Sequence, residues 1–275
     1  MIILGGSSRQ SLALLRGNLD EKLKNLSAAD CATLSEELFH IWSSLDSSTG
    51  LRRALTDPAR DASSKSELIS NLFGKVLSAK TLEIFSKAVS LRWSNPAQLA
   101  DAIEQIAVEA EAAAANLEDK LDQVLSEMFS FSKIILENPE LRLALINRAD
   151  SVVRKQELLK SIFGQKFTPS SLRLLSKSVE GRRNRSIEKS VSAYANALTA
   201  RRNRVNANIK SSIVLSDGQK KKLSDSLTAQ IGQPVHLNIE IDPSILGGIS
   251  IRFGDEIIDG TISNRLAEAG RALVS

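Results

Sequence analysis

Two stretches decide the fold: Leu51-Arg-Arg-Ala-Leu55, followed by Lys65-Ser-Glu-Leu68 and Phe73-Gly74, and their echo 90 residues later. The echo is Leu141-Arg-Leu-Ala-Leu145, Lys155-Gln-Glu-Leu158 and Phe163-Gly164. The same gap-free register continues through Leu82, Ser86, Lys87, Val89 and Arg92 onto Leu172, Ser176, Lys177, Val179 and Arg182, giving 15 identities over residues 51–92. Matched leucines alone would follow from any two amphipathic helices. Lys-x-Glu-Leu and Phe-Gly in one register do not, so this is a duplication. Two copies are too few for a solenoid, which needs three or more repeats.

Working outward, the flanking sequence is also helical. Leu12, Leu15, Leu19, Leu23 and Leu26 recur at intervals of three and four, as do Leu34, Leu38, Ile41 and Leu45. Ser64 and Glu67 form an expected capping box ahead of Leu68 and Ile69, and Gly74 suits a helix end. Asn95-Pro96 supplies a cap and a first-turn proline. From Ala97 to Asn138 there are 42 residues with no Gly or Pro. That run is either one connecting helix or two helices broken near Asn116. Another helix is expected over 186–203.

The last 75 residues change period. Residues 204–215 alternate well enough for a strand, Ser216-Asp-Gly-Gln219 opens a helix through Leu223, Leu227 and Ile231, and Gly232 ends it. Val235, Leu237, Ile239 and Ile241 alternate strictly. After Asp242-Pro243 and Gly247-Gly248, Ile249, Ile251 and Phe253 alternate again; Gly254-Asp255 turns the chain into a short return strand at Ile257-Ile258-Asp259. Thr261 is placed to cap a last helix through Leu266 and Leu273. The expected fold is mainly α: an N-terminal six-helix bundle over 1–108, a second helical copy over 109–203, and a small C-terminal α/β module over 204–275.

Composition bounds the chemistry. One cysteine, Cys31, and two histidines, His40 and His236, leave no set for a disulfide or a thiolate or imidazole metal centre. The carboxylates Asp242, Asp255, Glu256 and Asp259 cluster in sequence, but they read as turn residues bonding local N–H groups rather than as a metal site. No glycine pair matches a phosphate loop, and no catalytic constellation stands out. No enzyme activity, cofactor or metal is expected. No run approaches the ~18 apolar residues of a membrane span, and Met1-Ile-Ile-Leu-Gly-Gly6 lacks the basic region of a signal peptide. A soluble intracellular protein without direct membrane insertion is expected.

Charge is uneven. The net charge of +4 conceals a segment, 180–222, with eleven Lys/Arg against three Asp/Glu. Its local excess is +8, so the rest of the chain is −4. Gly181-Arg-Arg-Asn-Arg185 and Ala200-Arg-Arg-Asn-Arg204 can contact phosphates. Tyr194 is the only aromatic between them, so a stacking platform is lacking. Arginines at such positions also serve as a solvated face or as a dock for an acidic partner. A nucleic-acid-binding helical protein is therefore the alternative reading.

The tail carries a more specific signal. Val235-His-Leu-Asn-Ile-Glu-Ile-Asp-Pro-Ser-Ile-Leu-Gly-Gly-Ile-Ser-Ile-Arg-Phe-Gly254 resembles the signature of the delta (oligomycin-sensitivity-conferring) subunits of F-type ATP synthases. Asp242, Ile245, Gly247, Gly248, Ile249, Ile251, Arg252 and Gly254 fill its places. Asp259-Gly260-Thr261 and Arg265-Leu266 are similar to its closing residues, with Thr261 for the usual Ser. Ser8-Arg-Gln-Ser-Leu-Ala-Leu-Leu15 is similar to the family's opening helix, with Ser11-Leu12 where a Tyr-Ala pair is usual. The duplication resembles the enlarged delta subunits of actinobacteria.

The resemblance implies a stator, a non-catalytic peripheral-stalk subunit at the cytoplasmic face of the membrane within a hetero-oligomeric synthase. It implies an N-terminal bundle that holds the N-termini of alpha subunits, with Ser11, Leu12, Leu15 and Leu19 divided between core and groove. It implies a C-terminal part that holds the C-termini of b subunits, with Arg201, Arg202 and Arg204 placed to dock an acidic b helix. The Gly247-Gly248 region is implied to be a fold determinant rather than a contact. No nucleic acid is then a partner.

Overall fold

The structure is a computed structural model; it describes residues 6–261 apart from 148, 181–185, 232–234, 244, 246 and 254–255. Contacts divide the chain into two compact units, Met1–Thr199 and Ala200–Ser275. Helices dominate the first. They are α1 (Gly6–Leu23), α2 (Ala28–Ser47), α3 (Thr49–Thr56), α4 (Ala62–Phe73), α5 (Ala79–Ser90), α6 (Pro96–Leu117), α7 (Leu121–Glu137), α8 (Pro139–Ile146), α9 (Val152–Phe163), α10 (Pro169–Ser178) and α11 (Ile187–Val205). The last of these leads into the second unit.

The helix starts repeat the 90-residue offset seen in the sequence. Thr49, Ala62 and Ala79 open α3, α4 and α5; Pro139, Val152 and Pro169 open α8, α9 and α10. The caps repeat too. Asp61 accepts from the Ser64 amide at α4, so the expected box on Ser64 moves three residues upstream: Ser64 is the donor in the first turn, not the cap. At α9, Ser151 accepts from Arg154. Ser78 caps α5 and Thr168 caps α10.

The long run without Gly or Pro is two helices. Asp119 takes a left-handed conformation at φ 56°. The Asp119 amide donates to Asn116 and the Lys120 amide donates to Ala115, at 3.1 and 2.8 Å. That pair is a Schellman closure, usually built on glycine, here made by an aspartate, a residue that tolerates the αL region.

Helix α6 belongs to both copies. It starts 90 residues after α1, and α11 starts 91 residues after α6. Asn95 caps it by accepting from Ala97 and Gln98. Ten consecutive residues, Ile106 to Ala115, are buried, which is nearly three turns and therefore every side of the helix. Six of the ten are alanines. Small side chains let α2 come close enough for the Ser35 hydroxyl to donate 2.8 Å to the Ala107 carbonyl. The boundary expected at 108/109 falls inside this helix.

The second unit is a four-stranded sheet with one described helix: β1 (Asn206–Ser211), α12 (Asp217–Ile231), β2 (His236–Ile241), β3 (Ile249–Phe253) and β4 (Glu256–Asp259), ordered β2-β1-β3-β4. β1 and β2 are parallel, joined through α12; β1–β3 and β3–β4 are antiparallel. The first strand is shorter than expected because α11 continues through Val205. Gln219 and Ser216 form the predicted reciprocal cap of α12. Ile209, Leu227, Val235 and Ile251 make the core, with Leu223, Leu237, Ile239 and Ile249 against it. The last helix expected after Thr261 and the turn at Gly254-Asp255 lie outside the described residues.

Candidate partner-binding site

The C-terminal signature is a backbone crossing. Gly247 and Gly248 have φ of 152° and 87°, where side-chain-bearing residues are strained. A Cβ on Gly248 would sit 2.5 Å from the Gly260 carbonyl oxygen and 3.0 Å from Thr261 Cα. The Gly260 amide donates 3.0 Å to the Ile249 carbonyl. The two halves of the signature, 247–249 and 259–261, therefore meet and close the β3–β4 hairpin. The Asp259 carboxylate accepts from the Thr261 amide at 3.0 Å. Hydrogen bonding from Thr261, side chain and backbone, holds that carboxyl below its usual range. Asp242 caps the other side: its amide donates to Ser211, its carbonyl accepts from Ile245, and its carboxylate meets Lys210 Nζ at 3.3 Å. Ile251 is core, Ile245 and Ile249 are half-buried, and Arg252 is exposed. Gly254 and Arg265 lie outside the described residues.

The candidate residues on α1 are all inward. Leu12, Leu15 and Leu19 belong to the buried core, and Ser11 is buried with its hydroxyl donating 2.6 Å to the Arg92 carbonyl. The expectation of a split between core and groove gives way to a row that is core throughout. Leu14 is the exposed large apolar residue of this helix. Among the basic candidates, Arg201 is 2% exposed and Arg202 is half-buried, while the Arg204 side chain lies outside the described residues, as does Gly181–Arg185.

Buried acids cluster on α6, each with a partner from a different helix. Tyr194 on α11 donates 3.0 Å to Glu104, Arg16 on α1 donates 2.7 Å to Glu109, and Arg173 on α10 donates 2.6 Å to Glu111. Buried ions persist only when paired in this way. Burial opposes the Arg173 charge, but hydrogen bonding and attraction from Glu111 outweigh it and raise its pKa.

A second repeated device went unread in the sequence. Glu37 accepts from the Ser78 amide and hydroxyl and from the Thr81 hydroxyl. Ninety residues on, Glu127 accepts from the Thr168 amide and hydroxyl at 2.9 and 2.8 Å. Each carboxylate sits at a helix N-terminus, satisfying free donors where the dipole favours negative charge. Extending the gap-free register upstream of residue 51 would have matched Glu37 with Glu127 and Phe39 with Phe129.

Among the described residues no group of three or more His, Cys, Asp or Glu is placed to hold a metal. Nor is any helix there long and apolar enough to cross a membrane. The geometry is that of a two-copy helical unit followed in the chain by a small α/β module whose signature glycines serve the fold. The model of the ATP synthase delta (OSCP) subunit matches residues 100–273. An ATP synthase subunit delta of Streptomyces griseus subsp. griseus is 40% identical over 270 residues, covering 98% of this chain and 99% of that protein. Those of Streptomyces coelicolor and Thermobifida fusca are 38% and 39% identical, each with 98% of both chains covered. The chain belongs to the ATP synthase delta (OSCP) subunit family: a peripheral-stalk component of a hetero-oligomeric synthase, not one of its catalytic chains.

Proposed function

We propose that this subunit couples the catalytic head to the b subunits at the cytoplasmic face of the membrane. The helical region holds N-terminal segments of alpha subunits, and the C-terminal module, from residue 204, holds the C-terminal ends of b subunits. Together they resist rotor torque. In domain terms, the copies assigned to 1–108 and 109–203 act as one body joined through α6. The observation that carries this reading is the near full-length relationship to delta subunits, over 270 residues.

The role needs a static joint, and the packing suits it: the acids of α6 tie four helices to one another. Ser11, Leu12, Leu15 and Leu19 then position α1, and Leu14 is the side chain it leaves for alpha. Arg202 and Arg204 remain the basic candidates for an acidic b helix; buried Arg201 supports the fold instead.

The test is a pull-down of the full chain with an alpha N-terminal peptide and a b C-terminal segment. Both should bind. Changing Arg202 and Arg204 together to Glu should weaken b binding several-fold at low salt, with a smaller loss at high salt. A chain that ignored both partners yet bound DNA with a steep salt slope would return the nucleic-acid reading.

A further inference from the structure

The two copies present the same helix face to different surroundings. In the first copy that face is on α2. Phe39 is 2% exposed, with the Tyr194 ring of α11 at 6.1 Å and the Lys177 ammonium of α10 6.0 Å above its own ring. One turn and two turns further along, Trp42 and Asp46 are also buried. Lys177 and Tyr194 of the second copy therefore cover this face of the first at Phe39.

The 90-residue operation carries Phe39 onto Phe129 and Asp46 onto Leu136, both on α7. Phe129 is 76% exposed and Leu136 is 72% exposed. They lie seven residues apart, hence on one face, with Leu125 half-buried at i−4 from Phe129. Next along the chain, Leu143 of α8 is exposed as well. An aromatic and two leucines on an outer face are costly to leave in water, and such faces mark interaction sites. The pairing is head-to-tail: one face of copy two covers copy one, and the corresponding face of copy two is left open, as in any heterologous contact that does not close.

We infer that the Phe129–Leu136 face of α7 docks an amphipathic helix of another synthase subunit. The internal interface defines that occupant, because the open face continues it by the same repeat operation. The occupant presents apolar side chains three or four residues apart, one of them an aromatic against Phe129 as Tyr194 lies against Phe39. It places a Lys or Arg over the Phe129 ring, as Lys177 stands over Phe39, where a cation is attracted by the face of the ring. The contact is a helix laid on an apolar stripe, and it rests on the stalk reading above.

The test uses the assembled synthase. A photo-crosslinking phenylalanine derivative at position 129, and separately at 136, is compared with one at exposed Leu72 of α4. Crosslinks from 129 and 136 to one helix of another subunit, identified by mass spectrometry of the purified complex, are expected. A second variant, Phe129→Ser with Leu136→Ser, should leave the isolated chain's denaturation midpoint unchanged and weaken its association with the rest of the synthase by about tenfold or more. A complex in which 129 and 136 crosslink only to this chain, to a second copy of it, or to nothing would overturn the inference, as would unchanged association of the double variant. Those results leave the stalk reading standing; failure of the chain to enter the synthase at all counts against that reading instead.

Discussion

The bundle formed by α1–α6 and the one formed by α6–α11 share the starts of α3–α5 and α8–α10, the caps of α4 and α5 with α9 and α10, and their carboxylate clamps, yet differ in what covers them and in the sign of one ion pair. Lys22 of α1 pairs with Glu83 of α5, while Glu111 of α6 pairs with Arg173 of α10. Position 83 corresponds to position 173 under the repeat, and Glu111 lies one residue before the position that corresponds to Lys22, so acid and base have changed helices. The first pair is exposed; in the second, Glu111 is buried. A duplicated unit thus keeps the devices that make its helices and changes those that decide which surfaces meet. The reversed pair also works against exchange: α5 in the place of α10 would set Glu83 against Glu111, carboxylate on carboxylate.

This contrast can be broken by measurement. The largest effect is expected at the aromatic pair. Phe39→Ala should cost about 3–5 kcal/mol by denaturant unfolding, as for a fully buried ring. Phe129→Ala in the isolated chain should stay within ~0.5 kcal/mol. Equal losses would mean that the two faces are equally covered.

The ion pairs come next. Arg173→Ala leaves Glu111 buried without its guanidinium and should cost about 3 kcal/mol, the low end for such a break because Arg173 is itself one-third exposed. Glu83→Ala should cost under ~1 kcal/mol. The clamps are third. Glu127→Ala orphans two donors at buried Thr168 and should cost about 2 kcal/mol, against about 1 kcal/mol for Glu37→Ala, because Glu37 is only half-buried and its client Ser78 is exposed. Reversal of that order would place the tighter clamp in the first copy.

The smallest effect is a pH dependence. Partial burial of Glu188 disfavours its charge, but hydrogen bonds from Arg142 and Ser186 outweigh this and lower its pKa. A depressed folded-state value means stability that is present above the unfolded pKa and lost as pH falls through the folded one. The difference in unfolding free energy between the native chain and Arg142→Ala should be under ~1 kcal/mol at about pH 6 and vanish toward about pH 3. The first copy has Arg52 at the equivalent position, turned instead onto the Leu45 and Asp46 carbonyls, and should show no such dependence on Glu188.

Much of the fold was legible in sequence for identifiable reasons. The α3–α5 repeat shows because Leu, Phe and Gly at helical phase are the core and cap positions themselves. Asn95-Pro96 and Ser216–Gln219 act where the sequence places them. The sequence offers the break near Asn116 only as one of two readings, because an aspartate does the work of a glycine there. Ser64 misled because three candidate caps, Asp61, Ser63 and Ser64, stand within one turn and the first one takes the helix. At the candidate sites, heptad-like spacing says that Leu12, Leu15 and Leu19 share a face but not whether that face is core or groove. The signature glycines of the C-terminal module were readable as a fold determinant, though not the carbonyl of Gly260 that enforces them. The sharing of α6 was not readable, because a helix buried on all sides has lost the amphipathic stripe by which helices are recognised.

That helix has a mechanical consequence. Two bundles strung on a loop can swing about it, and a load applied to one is taken up by the loop before it reaches the other. Here the same run of backbone is the last member of one bundle and the first of the next, so bending between them requires either stripping α6 from a packed core or breaking its own ladder of hydrogen bonds. The helical part of the subunit is built as a beam with no pivot at its midpoint.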